Sequence, residues 1–241
     1  MRASTELVIS ASLQQPGVCR VTWARESAPL AFRRSGEAVY LVGTAASPVA
    51  DDAVSLKVKL ERDARLKLRS AASMIAWAGT GSSFSIDVEI GPGASLDWHL
   101  QPLVASGRCN FTQRARASLA PGARLRWVEE VVLGRHGEVP GALDLRLDVD
   151  APTGPLLRQQ LQVGGPACGW DGPAVLGAHR TFGFVLAVGE GPEAVGPTNG
   201  EGWARMALEG DGTIVQAVAG GLAELRRRLA LSEADAATRP G

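Results

Sequence analysis

The 241-residue chain repeats itself. One strand-turn-strand pattern occurs three times in register and a fourth time more loosely, and a repeat of this kind restricts the fold more than any other feature. In the clearest copy Phe84, Ile86, Val88 and Ile90 alternate with polar residues, Gly91-Pro92-Gly93-Ala94 turns the chain, and Leu96, Trp98 and Leu100 resume the alternation. The copy after it reads Phe111, Gln113, Ala115, Ala117 and Leu119, then Ala120-Pro121-Gly122-Ala123, then Leu125 and Trp127. The copy before it reads Val54, Leu56, Val58 and Leu60, then Glu61-Arg62-Asp63-Ala64, then Leu66 and Leu68. The alanines that close the three turns, Ala64, Ala94 and Ala123, are 30 and 29 residues apart.

Alternation with period two gives each strand one apolar and one polar face. A single unit cannot bury its own apolar face, whereas stacked units share a core. Pro92 and Pro121 preset φ for the turn, Gly93 and Gly122 accept positive φ, and Asp63 takes the glycine's place as a residue tolerant of the left-handed region. The fourth unit has Leu143, Leu145, Leu147 and Val149, a Pro152-Thr153-Gly154-Pro155 turn, then Leu157, Leu161 and Val163. Trp98, Trp127 and Leu68 hold equivalent positions, which favours core packing over a ligand cage. The expected fold is mainly β, with stacked strand-turn-strand repeats in a β-helix-like or β-sandwich array. It is expected as a single domain over 1–241, with the array at about 53–163, C-terminal strands and a helix at about 178–231, and a tail from 232.

Outside the repeats, strands are expected over 7–11, 18–25, 30–33 and 38–42 and later over 179–188 and 203–208. Ile214, Val218, Leu222, Leu225 and Leu229 share one side at helical spacing and predict one C-terminal helix, capped by Asp211 or Thr213, with Arg226-Arg227-Arg228 near its end. The segment Val128 to Glu138 loses the alternation and gathers charge.

Lys and Arg number 25 against 25 Asp and Glu, so no net charge draws the chain to nucleic acid or anionic lipid. Three cysteines without CxxC spacing, no signal-peptide-like apolar core and no apolar run of membrane length predict a cytoplasmic protein. GxxxxGK[ST], GxSxG and HExxH are all missing from the sequence, so nucleotide hydrolysis, serine hydrolysis and zincin chemistry have no motif to rest on. The acid pairs Asp51-Asp52 and Glu129-Glu130 are sequence neighbours, and neighbours on a strand point to opposite faces, so neither reads as a catalytic couple. No enzyme is expected. No His or Cys pairs with another at ligand spacing, and by parity His99 lies on the polar face beside Asp97 and Gln101. Asp52, Glu130 and His99 are the candidates for a weak, transient metal contact.

The succession Val88-Glu89-Ile90-Gly91-Pro92-Gly93-Ala94, Leu96-Asp97-Trp98, Ala120-Pro121-Gly122-Ala123-Arg124-Leu125 and Glu129-Glu130-Val131-Val132-Leu133-Gly134-Arg135 resembles the UreD (UreH) family of urease accessory proteins. The similarity continues through Leu156-Leu157-Arg158, Gly177-Ala178-His179 and Trp203-Ala204-Arg205-Met206, covering about 38–230. Two places depart from the family pattern: Ala50-Asp51-Asp52 stands where Gly-Gly-Asp is usual, and Arg69 to Met74 replaces a Thr/Gln-rich run. The resemblance implies a non-enzymatic scaffold that binds UreF and the GTPase UreG, docks on apo-urease and helps deliver Ni²⁺. No tightly bound cofactor is expected beyond transient Ni²⁺, and neither nucleic acid nor membrane is an expected partner. Glu129, Glu130, Gly134 and Arg135 are the partner-binding candidates. Alternatives from the fold alone are a β-repeat interaction module of another assembly and a carbohydrate-active β-solenoid.

Overall fold

A computed structural model describes residues 2–11, 19–165, 167–189 and 197–237. Four strands precede the repeats: β1 (Arg2–Ala11), β2 (Cys19–Arg25), β3 (Leu30–Ser35) and β4 (Ala38–Gly43). The repeats supply β5 (Ala53–Leu60), β6 (Arg65–Ser70), β7 (Met74–Ala76), β8 (Ser82–Ile90), β9 (Ser95–His99), β10 (Leu103–Ala105), β11 (Asn110–Leu119) and β12 (Arg124–Leu133). After them come β13 (Ala142–Ala151), β14 (Gly154–Val163), β15 (Thr181–Val188), β16 (Thr198–Gly200), β17 (Trp203–Leu208), β18 (Gly212–Ala219) and helix α1 (Leu222–Ala237).

The two strands of each repeat do not pair with each other. The turn is a corner between two sheets: β5, β8 and β11 run parallel in the first, and β6, β9 and β12 run parallel in the second. The first sheet has the order β14-β13-β11-β8-β5-β1-β2 and the second β16-β17-β18-β15-β12-β9-β6-β4-β3. Successive corners are tied through their backbones, with Ser95 N donating to Ala64 O and Arg124 N to Ala94 O, both at 2.8 Å. Asp63, Gly93 and Gly122 all sit at positive φ, 57°, 68° and 72°, as the turn chemistry requires. Ala64, Ala94 and Ala123 fill the inside of the corner, where burial leaves no room for a larger side chain.

In-register stacking turns each sequence position into a ladder. Leu66, Leu96 and Leu125 form one, and Leu68, Trp98 and Trp127 the next. The two indoles stack at 4.3 Å with only 6° between their planes, a spacing imposed by the strands beneath them. On the outer face of the first sheet the same rule acts on charge. Arg25, Glu6, Lys57, Asp87, Arg116, Asp148 and Arg158 are consecutive register partners, one from each of seven strands, and their signs alternate throughout.

The fourth, looser unit differs from the other three: β13 and β14 form an antiparallel hairpin at the edge of the first sheet, with a register shift between Val149 and Asp150. Two expectations need correction. The segment after Trp127 stays regular to Leu133, because β12 is covered on both faces and so shows no polar side to read. Ile214 and Val218 belong to strand β18, where the four-residue spacing also satisfies period two, and the helix begins only after Gly220-Gly221. Asp211 and Thr213 therefore cap no helix, Arg226 to Arg228 fall in its first half, and it continues to Ala237 into the expected tail. Residues 238–241 lie outside the described residues.

Replacing Asp87 by Lys would set three cations side by side on β5, β8 and β11. Thermal unfolding should show a loss of about 1 kcal/mol that shrinks in about 0.5 M salt; a salt-independent loss would mean that the ladder does not act through charge.

Candidate functional site at a break in the second sheet

Strand β12 is paired on one side by β15 without a break from Leu125 to Val132. On its other side it pairs with β9 only as far as Val128↔His99, and with β10 only from Val131↔Leu103. Between these the neighbouring chain bends away at Leu100-Gln101-Pro102. Pro102 has no amide hydrogen to offer, and Gln101 spends its own on Ser70 Oγ at 2.8 Å. The backbone of Glu129 and Glu130 thus faces a gap in the sheet. A cavity of about 40 Å³ occupies it, reaching from Gln101 inward past Trp98 and Trp127 to Gln113 and Glu129. That volume suffices for water. A second, smaller cavity lies on the far side of Glu129 among Leu147, Gln159 and Phe184.

Glu129 belongs to the inward set Leu125, Trp127, Glu129, Val131 and Leu133, so its carboxyl enters the space between the sheets. Two groups bind it: Gln113 Nε2 donates to Oε1 at 2.9 Å and Trp127 Nε1 to Oε2 at 3.3 Å. Gln113 is itself an exception, standing where Val54 and Phe84 stand in the other coils. Although Glu129 keeps a little accessible surface, its carboxyl is enclosed by protein, and desolvation outweighs both hydrogen bonds. Its pKa is pushed up to about 7. Across the second cavity Gln159 Oε1 is buried without a hydrogen-bond partner.

Glu130 points the other way, onto the outer face of the second sheet beneath α1. It accepts two parallel bonds from Arg226, Nε to Oε1 at 2.8 Å and Nη2 to Oε2 at 2.7 Å. Around it Leu225 and Leu229 pack on Val128, Val185, Val215 and Ala217. His99 is half-buried on the same face; burial pulls its pKa below the usual value, and the Glu130 carboxylate pulls the other way. Sequence parity had placed Glu129 and Glu130 on opposite faces, and the structure does so, but neither forms part of a solvated charged surface.

The other singled-out residues lie elsewhere. Asp52 is buried at the start of β5, accepting from Ser47 Oγ at 2.9 Å and Val49 N at 3.1 Å, and so closes the loop over 47–52. Gly134 and Arg135 form the rim beyond β12. Gly134 has φ 76°, and a Cβ there would meet Glu138 O at 2.6 Å, so the turn requires glycine. Arg135 pairs with Glu138, Nη2 to Oε1 at 2.5 Å, and lies 5.5 Å over the exposed ring of Trp77. The Arg135 guanidinium and two backbone amides hold the Glu138 pKa down to about 2. Among the described residues no three His, Cys, Asp or Glu side chains converge on a point that would hold a metal. No described helix is long and apolar enough to cross a membrane.

Glu129 supplies a test through pH. Its folded pKa of about 7 exceeds its ordinary 4.5, so the folded chain holds the proton more tightly than the unfolded one. The stability tied to that proton is complete below pH 4.5 and is lost as pH rises through 7, by roughly 3 kcal/mol. Denaturant unfolding of Glu129→Gln should be less pH-dependent than wild type across that window; equal slopes would place the carboxyl in a wetter setting.

The family model for the UreD urease accessory protein matches residues 1–238. A urease accessory protein UreD of Parafrankia sp. (strain EAN1pec) is 36% identical, with the match covering 92% of this chain and 84% of that one. UreD 3 of Streptomyces griseus is 38% identical over 83% of this chain and 84% of its own length, and UreD of Streptomyces coelicolor is 37% identical over the same shares. The chain belongs to the UreD family of urease accessory proteins.

Proposed function

We propose that the chain is a non-enzymatic scaffold of urease maturation in the cytoplasm, which assembles with UreF and the GTPase UreG and passes Ni²⁺ to apo-urease. The family match across nearly the whole chain carries this reading. The break in the second sheet supports the nickel part of it. An inward carboxylate with an amide beside it, between two small cavities, offers oxygen ligands that bind a first-row divalent ion without retaining it. A cation entering at Gln101 would meet Glu129 next, and Gln159 Oε1 beyond it. The rim at Gly134-Arg135 supports the partner part, since an exposed aromatic ring capped by an arginine is the residue chemistry enriched at protein contacts.

Co-purification from the source organism should recover UreF and UreG with this chain, and urease from a strain lacking it should be poor in nickel. A strain whose urease is fully loaded would refute the role. At the rim, Arg135→Gln should keep the fold and weaken the complex by at least about tenfold in a pull-down titration, on the scale of an interface arginine. Undiminished binding would return Arg135 to a purely local role with Glu138.

A further inference from the structure

Two of the three corners rest on the corner below them, through Ser95 N to Ala64 O and Arg124 N to Ala94 O. Arg65 is the equivalent residue of the first coil, the register partner of Ser95, and the array has no earlier corner to place an alanine carbonyl beneath it. Its amide turns instead to Cys19 Sγ at 2.8 Å, a weak acceptor. The neighbouring strand is no substitute, because β4 begins at Ala38, level with Lys67, and leaves Arg65 and Leu66 without a strand beside them.

A cleft of about 420 Å³ opens at this place, with Ile9, Val39 and Leu66 as its floor and Arg34 and Arg65 among its polar lining. Beside it both sheets end in a free edge, since β2 pairs with β1 alone and β3 with β4 alone among the described residues. Val21, which lines the cleft, and Trp23 on the same strand are exposed. The acids of the cleft are already engaged, Glu37 by Lys67 at 2.7 Å and Asp97 by Arg69. Arg34 and Arg65 have no acidic partner among the described residues. Arg34 follows Leu30 and Phe32 in the inward set of β3, as the register partner of buried Val39, yet it is exposed. An inward-pointing charge at a free edge turns away uncharged strands and admits one that brings the opposite charge.

We propose that this end of the array docks an acidic, extended segment of a partner protein, which supplies the missing corner. The segment's backbone offers a carbonyl to Arg65 N in place of Cys19 Sγ, an apolar side chain settles on Ile9, Val39 and Leu66, and carboxylates meet Arg34 and Arg65. Charge decides between occupants. A second copy of this chain, joined end to end about a two-fold axis, would set Arg34 and Arg65 against their own kind. The inference stands apart from the nickel route and does not depend on it.

The probe is a synthetic peptide of the chain's own second corner, residues 86–97, which carries Asp87, Glu89 and Asp97 and no basic residue. In the array its Ala94 carbonyl accepts from the amide of the next coil, the bond that Arg65 lacks. Fluorescence anisotropy of the labelled peptide with the full-length chain should show saturable binding. Arg34→Glu should weaken it about tenfold, and Arg34→Glu with Arg65→Glu should abolish it. Both side chains are exposed, so the variants keep the fold, which circular dichroism checks. A peptide with its three acids replaced by Asn and Gln should bind at least about tenfold more weakly, and Arg227→Glu, an equal change of charge on α1, should change nothing. No saturable binding, equal binding of the neutral peptide, or an equal loss in Arg227→Glu overturns the proposal. Self-association of the chain that the peptide competes away would assign this end to a second copy, and overturns it too.

Discussion

Each coil of this protein is held to the next at its corner. The amide after one buried alanine donates to the carbonyl of the alanine below it, and a turn residue at positive φ sets the direction of the second strand. Because these bonds join equivalent positions, they fix the register of both sheets at once. Everything else inherits that register. The leucine ladder, the indole stack of Trp98 on Trp127 and the alternating charges across seven strands are each one consequence of placing like positions over like. In a one-residue slip, the apolar set would turn outward and the charges would fall out of step.

The break in the second sheet shows what happens where the repeat stops. Pro102 and the bend before it end the pairing of β9, β10 resumes it three residues further along β12, and the interval leaves Glu129 and Glu130 beside a cavity. A regular strand would have covered this place with apolar side chains. Here the inner side has Gln113 and Glu129 hydrogen-bonded to each other, and the outer side has Glu130 under Arg226. Burying two carboxyl groups costs stability unless each finds partners. One is met by neutral donors and a raised pKa, the other by a bidentate guanidinium. Sites of this kind, where the fold tolerates polar groups in its interior, are where function is most readily placed.

Much of this was legible in the residues. Asp63 standing in for glycine, the alanines at the corners and the equivalence of Leu68, Trp98 and Trp127 all followed from turn chemistry and period two. Glu129 was legible too, in principle: it continues the alternation of Leu125 and Trp127, which puts it inside, and Gln113 breaks an apolar ladder at Val54 and Phe84. Weight of charge in one short segment hid this, because a run of acids reads as solvated when its strand is not known to be covered on both faces. The start of α1 was hidden by a coincidence of periods, since Ile214 and Val218 fit a helix and a central strand equally well.

The sequence by itself determined the coil: its length, its corner, which side chains face in, and the family to which the chain belongs. Those are local properties, set by backbone preference and alternation within some thirty residues. Only the tertiary structure decided that the two strands of a repeat lie in different sheets, that β13 and β14 close the array as a hairpin, and that Arg226 meets Glu130. The first and the last of these join residues far apart in the chain, and the hairpin, though local, is placed by the parallel pairing of β13 with β11; all three are set by which surfaces remain to be covered once the coils have stacked. The arginine meets the glutamate because Leu225 and Leu229 of the last helix pack on the apolar patch of Val128, Val185, Val215 and Ala217 beside it.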